Sequence, residues 1–312
     1  MAIYNMKHIP FLLAAMTMLW CSSCDQAHPD VENVIIKGSD TEVNLALALA
    51  EHYMEKDEDI SIAVTGGGSG AGIAALINGK TGLANSSRPM RAEEIRLANA
   101  RNVRPMASVF AMDGLAIIVH PELPVSALTV QQVGAIYRGE IENWREVGGP
   151  DIPISLYGRQ SNSGTFVYFR DSVLRGEYAR NLKQMNGTAQ MVEGMKTDRA
   201  GIAYVGVGYV VQKDGQAMPG IKILPVSAGE GLPAVAPTDL ANIIDGSYPI
   251  VRPLFQYTNG RPNGKLRDFM LFCLSEVGQQ IVTESGYYPV SKRYQAQNEQ
   301  VLNFSYADAT SY

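Results

Sequence analysis

Val34-Ile35-Ile36-Lys37-Gly38-Ser39-Asp40-Thr41 reads as a buried strand that runs into a polar turn. Beyond it, Asn44 to Lys56 has helical spacing, with Leu45, Leu49, His52 and Tyr53 on related faces. Asp40 or Thr41 is the natural N-cap of that helix. The same order recurs at Ser61-Ile62-Ala63-Val64, followed by Gly66-Gly67-Gly68-Ser69-Gly70-Ala71-Gly72 and an Ala/Ile/Leu helix ending at Asn78-Gly79. It recurs again at Ile154-Ser155-Leu156-Tyr157-Gly158, then Arg159-Gln160-Ser161-Asn162-Ser163-Gly164-Thr165 and a helix from about Phe166. Strand, turn and helix in repeated alternation predict an α/β protein.

Each of the three turns opens a helix, and that position has a chemistry of its own. A helix N-terminus offers N–H groups with no internal partner and the positive end of the macrodipole, so it attracts an anion without a charged side chain. Glycine lets the backbone approach closely, and Ser and Thr hydroxyls add donors whose direction can rotate. Capping alone would account for one such turn. Three of them, with Arg159 four residues ahead of Ser163-Gly164-Thr165, point to one small oxyanion gripped by an arginine fork and helix-start amides. Asn85-Ser86-Ser87-Arg88 adds further hydroxyls and a second arginine where another strand gives way to a helix at Arg91 to Glu94.

Other uses of these turns fit less well. The glycine run lacks the Gly-Lys-Ser/Thr of a phosphate-binding P-loop. It matches a dinucleotide fingerprint only loosely, and the next strand ends in Leu83-Ala84-Asn85-Ser86-Ser87-Arg88 where an acidic residue is wanted. Ser69 resembles a nucleophile-elbow serine, but Ala71 replaces the last glycine, and neither His52 nor His120 has a context that suggests a base. A serine hydrolase or phosphatase is the weakest reading.

The chain has 312 residues, 46% hydrophobic and 18% charged, enough for two domains at about 100–200 residues each. Its net charge of −5 and the lack of a basic stripe speak against nucleic acid. The acidity also speaks against long-range steering of an anion, so an anion site must work through local dipoles and one or two arginines. At the N-terminus, Lys7, the apolar run from Ile9 to Trp20 and Cys21-Ser22-Ser23-Cys24 form a secretory signal too short to span a bilayer as a mature helix. Small residues before Cys24 make residues 1–23 a lipoprotein signal peptide, with Cys24 as the lipidated first residue and 24–32 as a linker. That leaves Cys273 as the one cysteine of the mature chain with a free thiol, expected to be buried and structural in an apolar helix. Neither cofactor nor metal is expected.

Further along, the apolar half of Met112 to Val119 reads as a strand buried on both faces that crosses between lobes. Ile221 to Val226 is the expected second crossing, and a single helix is expected from Lys265 to Ser285. Residues after about Ser291 carry little signal.

Taken in order, these pieces resemble the phosphate-binding proteins of ABC-type phosphate transporters, a branch of the type II periplasmic binding proteins. The resemblance runs from about Val34 to Val290. It rests on Gly38-Ser39-Asp40-Thr41, Gly67-Gly68-Ser69-Gly70, Ser86-Ser87-Arg88, Ile136-Tyr137-Arg138-Gly139-Glu140 with Trp144, Gly158-Arg159 with Ser163-Gly164-Thr165, Gly201-Ile202-Ala203-Tyr204, Ser247-Tyr248-Pro249 with Arg252-Pro253, and Gly286-Tyr287. It implies two α/β lobes, each a mixed sheet flanked by helices, joined by two crossing strands that act as a hinge. Lobe 1 is expected to be discontinuous, 33–113 with 235–312, and lobe 2 to be 114–234.

The resemblance implies a non-enzymatic, lipid-anchored, exported protein, expected as a monomer, that binds inorganic phosphate and delivers it to an ABC permease. It places Thr41, Ser69, Arg159, Ser163, Gly164 and Thr165 on the anion, and the candidate site also includes Ser39, Asp40, Gly70, Ser87 and Arg88. Family members commonly carry an aspartate at the position of Ser87, whose carboxylate accepts the proton of hydrogen phosphate and so rejects sulfate. Here Asp40 is expected to take over as that acceptor. The alternatives are a site for another tetrahedral oxyanion such as sulfate or molybdate, or a surface anion sensor.

Overall fold

The computed structural model describes residues 31–212 and 215–306. The expected signal peptide, Cys24 and most of the linker lie outside the described residues. The chain begins β1 (Glu32–Gly38), α1 (Val43–Met54), β2 (Ile60–Thr65), α2 (Ser69–Ile77), β3 (Leu83–Ser86), α3 (Ala92–Ala100) and the long β4 (Pro105–Val119). It continues with β5 (Leu128–Thr129), α4 (Val130–Arg138), β6 (Ser155–Arg159), α5 (Gly164–Phe169), β7 (Lys183–Met185), α6 (Thr188–Thr197) and β8 (Gly201–Gly206). Then come β9 (Lys222–Leu224), β10 (Val226–Ser227), β11 (Ala234–Val235), α7 (Leu240–Ile244), β12 (Val251–Asn259), α8 (Gly264–Leu274), α9 (Glu276–Glu284) and α10 (Gln295–Leu302).

Among the described residues the main sheet is ordered β2-β1-β3-β12-β4-β8-β6-β7, with β9 also on β4. β1 pairs in parallel with β2 and β3, and β6 with β8 and β7, as strand–turn–helix units require. Antiparallel β12 and β4 stand between these two parallel sets. The result is a mixed α/β fold whose two halves meet along β4.

β4 serves both halves because it is long and apolar throughout its second part. Its first half pairs with β12 and its second with β8 and β9, and from Ser108 to Val119 it is buried. Phe110 and Ala111 join a core with Leu45, Leu49, Leu83, Leu254, Phe269 and Val282, whereas Leu115 to Val119 join one built on Tyr137, Trp144, Phe169 and Tyr204. The expected second crossing at Ile221 to Val226 is corrected. β9 stays on the second half of β4, and Leu224 and Val226 are buried in that half's core. The chain returns through β12 instead, where Val251 lies opposite Gly114 and Arg252 opposite Asp113.

Two local differences have plain causes. The single helix expected from Lys265 to Ser285 is two, because Ser275 adopts an extended ψ of 167° and its Oγ accepts from the Gly278 amide, capping α9. The tail after Ser291 forms α10, and its buried Asn298 bonds both the N–H and the C=O of Val109 on β4. Cys273 is buried in α8 as expected, and burial pushes its thiol up to about 12.

Candidate functional site

The C-terminal ends of β1, β2, β3 and β6 all point at one place, so the turns that follow them converge. β1 approaches β3 so closely at Gly38, whose φ is +145°, that a Cβ there would lie 2.0 Å from the Asn85 carbonyl oxygen. α1 begins after Glu42, α2 at Ser69, and α5 at Gly164, with Ser163 capping it as Oγ accepts from Phe166 N at 3.4 Å. The helical path of α5 continues as a π-turn to Leu174.

The structure brings Thr41, Ser69, Ser87, Gly164 and Thr165 together, all buried, with buried Ser163 capping the same helix and buried Arg159 tied to Asp40 beside Thr41. Thr41 Oγ1 lies 2.9 Å from Thr165 Oγ1, although 124 residues separate them. Ser69 Oγ accepts from the Ser87 amide at 3.1 Å and lies 3.4 Å from Ser87 Oγ. Gly164 fits against this pair only because it lacks a side chain: a Cβ would be 2.2 Å from Ser69 Oγ and 2.6 Å from Ser87 Oγ. Hydroxyls and helix-start amides of both halves thus share one buried spot. Ser69 is bonded to another serine and not to a base, which removes the basis for a nucleophile.

Arg159 is 2% exposed at the end of β6. Its Nη1 donates to Thr188 Oγ1 and its Nη2 to the Asn186 carbonyl, both at 2.9 Å, while Nε–H is buried without a hydrogen-bond partner. A buried guanidinium N–H left unpaired is costly unless something accepts from it, and an oxyanion is the acceptor such a group suits best.

One expectation is changed, and Asp40, Arg88, Gly70 and Ser39 all have partners within the protein. Asp40 does not cap α1; the N-cap is Glu42, without a side-chain hydrogen bond. Asp40 Oδ1 accepts from Gly67 N at 2.9 Å and Oδ2 pairs with Arg159 Nη2, so the carboxylate joins the turns, and each oxygen keeps a further lone pair. Arg88 forms a fork–fork pair with Glu94 at 2.7 and 2.6 Å, while its Nε–H, like that of Arg159, is buried without a hydrogen-bond partner and its Nη2 stays close to Gly70. Burial raises Glu94, but the hydrogen bonds from Arg88 and the Arg91 amide outweigh it and leave the carboxyl below its ordinary value. The Gly70 amide donates to the Asn162 carbonyl at 3.0 Å, and Asn162 Nδ2 returns a bond to Gly67 O at 3.0 Å. Ser39 acts on the turn itself, its amide donating to Asn85 O at 3.0 Å and its carbonyl accepting from Glu42 N at 3.1 Å.

The residue-level reading misses a second arginine. Arg252, 1% exposed, enters from β12 beneath the turns. Nε and Nη2 donate to Asp113 Oδ2 at 2.9 and 2.8 Å, and Nη1 to the Ser87 carbonyl at 3.3 Å. Nη2 also reaches Thr41 Oγ1 at 3.2 Å and Thr165 Oγ1 at 3.1 Å. Burial pushes the Asp113 carboxyl up, and Arg252 with the Val207 amide pulls against it. Glu42 stands beside this pair, fully buried. Burial pushes it well above the usual carboxylate range, against the pull of Ser39 and Arg252. The legible signal was an Asp and an Arg of opposite charge, each interrupting an apolar strand.

Comparison with known proteins decides the family. A model of the PBP superfamily domain matches residues 25–277. The phosphate-binding protein PstS of Pseudomonas aeruginosa is 32% identical, with 83% of each chain aligned, and PstS of Bacillus subtilis is 30% identical over 91% of this chain and 94% of its own. The chain belongs to the PBP superfamily, among the PstS proteins. A Clostridium perfringens structure solved with bound phosphate, described as the substrate-binding protein of a phosphate ABC transporter, superposes with a TM-score of 0.73 at 28% identity, covering 83% of this chain and all of that one. An ABC-type phosphate transport receptor from Vibrio cholerae superposes at 0.65 with 25% identity and the same coverage. The family is one of substrate-binding proteins and not of enzymes.

Proposed function

We propose that this protein binds inorganic phosphate between its two halves and delivers it to an ABC-type permease. The observation that carries this reading is the pairing of half-sites: Thr41 and Ser69 on one side, Arg159 and Thr165 on the other, all buried and converging on one spot. The relatives named above as phosphate-binding proteins support the choice of anion.

In this reading the Arg159 guanidinium supplies the cation, with Nε–H as a donor to the ligand. The Ser69, Thr41 and Thr165 hydroxyls and the first amides of α1 and α5 supply neutral donors. A dehydrated oxyanion is held best by many such groups in a medium of low dielectric. The lobes are 33–113 with 235–312, and 114–234; binding closes them by rotation about the β4 and β12 crossings. The contacts Asp40–Arg159, Gly70–Asn162 and Thr41–Thr165 are those of the closed form. The mature chain is proposed to be a monomer, exported and anchored through lipidated Cys24. Among the described residues no helix is long and apolar enough to cross a membrane, and the anchor provides the attachment instead.

Isothermal titration with phosphate, sulfate, arsenate and molybdate tests the reading. Tight phosphate binding with weak or absent sulfate binding is expected. No heat with any of the four ions removes the proposal.

A further inference from the structure

The Thr41 and Thr165 hydroxyls come from different halves, lie 2.9 Å apart, and share one neighbour that can only donate: Arg252 Nη2, at 3.2 and 3.1 Å. A hydroxyl has one proton and two acceptor sites. The guanidinium takes one acceptor site on each oxygen, sharing its N–H groups between them and Asp113 as three-centre bonds. At 2.9 Å one hydroxyl donates to the other, and with the acceptor sides turned to Arg252 both protons can swing away from the arginine once an anion is there to accept them. Asp113, buried and in register on β4, fixes where the guanidinium sits.

Resting on the phosphate reading, we propose that Arg252 is a positioning residue of the anion site, orienting the Thr41 and Thr165 hydroxyls so that both donate to the same ligand. Arg252 thereby joins the two half-sites from below without touching the anion. The role depends on one planar nitrogen reaching two oxygens and a carboxylate together, which the single ammonium of lysine cannot reproduce.

Phosphate titration of wild type, Arg252→Lys, Thr41→Val and the double variant tests this, with urea unfolding of each alongside. Arg252→Lys is expected to weaken phosphate about 10- to 100-fold with Thr41 present, the range for losing a hydrogen bond to a charged group. In the Thr41→Val background its effect is expected to shrink by at least about threefold, because coupled residues are not additive. An equal loss in both backgrounds, which a purely structural role predicts, overturns the inference while the phosphate reading stands. Failure of wild type to bind phosphate overturns both. Should Arg252→Lys not fold, a crystal structure of the wild-type protein with phosphate decides. Arg252 Nη2 on both threonine oxygens, with each oxygen on phosphate, is expected; a guanidinium turned onto phosphate, or a threonine off it, overturns the inference.

Discussion

Two aspartate–arginine pairs face each other across this site, and they do different work. Asp40–Arg159 joins a turn of one half to a strand end of the other, and the Asp40 side chain keeps 18% of its surface in solvent. Asp113–Arg252 is sealed at 0% and 1% exposure, between strands in register. The first can open when the halves part, and water can then take both charges. The second sits between β4 and β12, whose residues Asp113 and Arg252 lie opposite each other in register, so the proposed closure about these strands need not separate it. The chemistry is the same in both, and burial makes one a latch and the other a fixture.

The largest effect should come from breaking the fixture. Asp113→Ala leaves Arg252 buried and unpaired, and about 3–5 kcal/mol of stability should be lost in urea unfolding. The double variant Asp113→Leu/Arg252→Met should regain most of that stability but not phosphate affinity. A double variant as unstable as the single one would mean that packing, and not charge, holds this spot.

Removing the cation of the latch should act on the ligand instead. Arg159→Met is expected to cost about 2–5 kcal/mol of phosphate binding by titration, with a much smaller change in unfolding. If stability fell as far as affinity, the contrast between the two pairs would fail.

Glu42, beside the buried pair, sharpens the comparison through pH. Its carboxyl is raised by burial in the folded protein, so the folded state holds its proton over a window where the unfolded chain has released it. The stability this provides is full below the unfolded value and is lost as pH rises toward the folded value, at up to about 1.4 kcal/mol per pH unit. Glu42→Gln removes the penalty, so its stability relative to wild type should grow from pH 5 to pH 8. A difference that stays flat with pH would mean the carboxyl titrates normally.

Asp40→Asn should show the smallest effect, about 1 kcal/mol or less in stability and a several-fold weaker affinity, since the amide can still accept from Gly67. The ratio of phosphate to sulfate affinity should not change if the work of Asp40 is to join the Gly67 turn to Arg159. Loss of that ratio in competition titrations would restore Asp40 as the proton acceptor.

The sequence by itself determined the strand–turn–helix units at Gly38, Gly66 and Arg159, because apolar runs, glycines and caps act within a few residues of one another. These mark Thr41, Ser69 and Thr165 as donors. Cys273 could be read as a core thiol from its apolar helix alone. Tertiary structure decided which polar group faces which. Arg88 and Arg159 read alike as arginines at strand ends, yet Glu94 on α3 pairs with the first and Asp40, from the other half, with the second. Asp40 read as a cap until Arg159, 119 residues away, was brought against it. Arg252 was legible as a charge in an apolar strand and as part of the resemblance with Pro253, but not as a site residue, since its partners lie 87 to 211 residues away. Short-range pattern specifies the elements; the pairing of charges is set by where the sheet brings distant strand ends, and by how little water reaches them there.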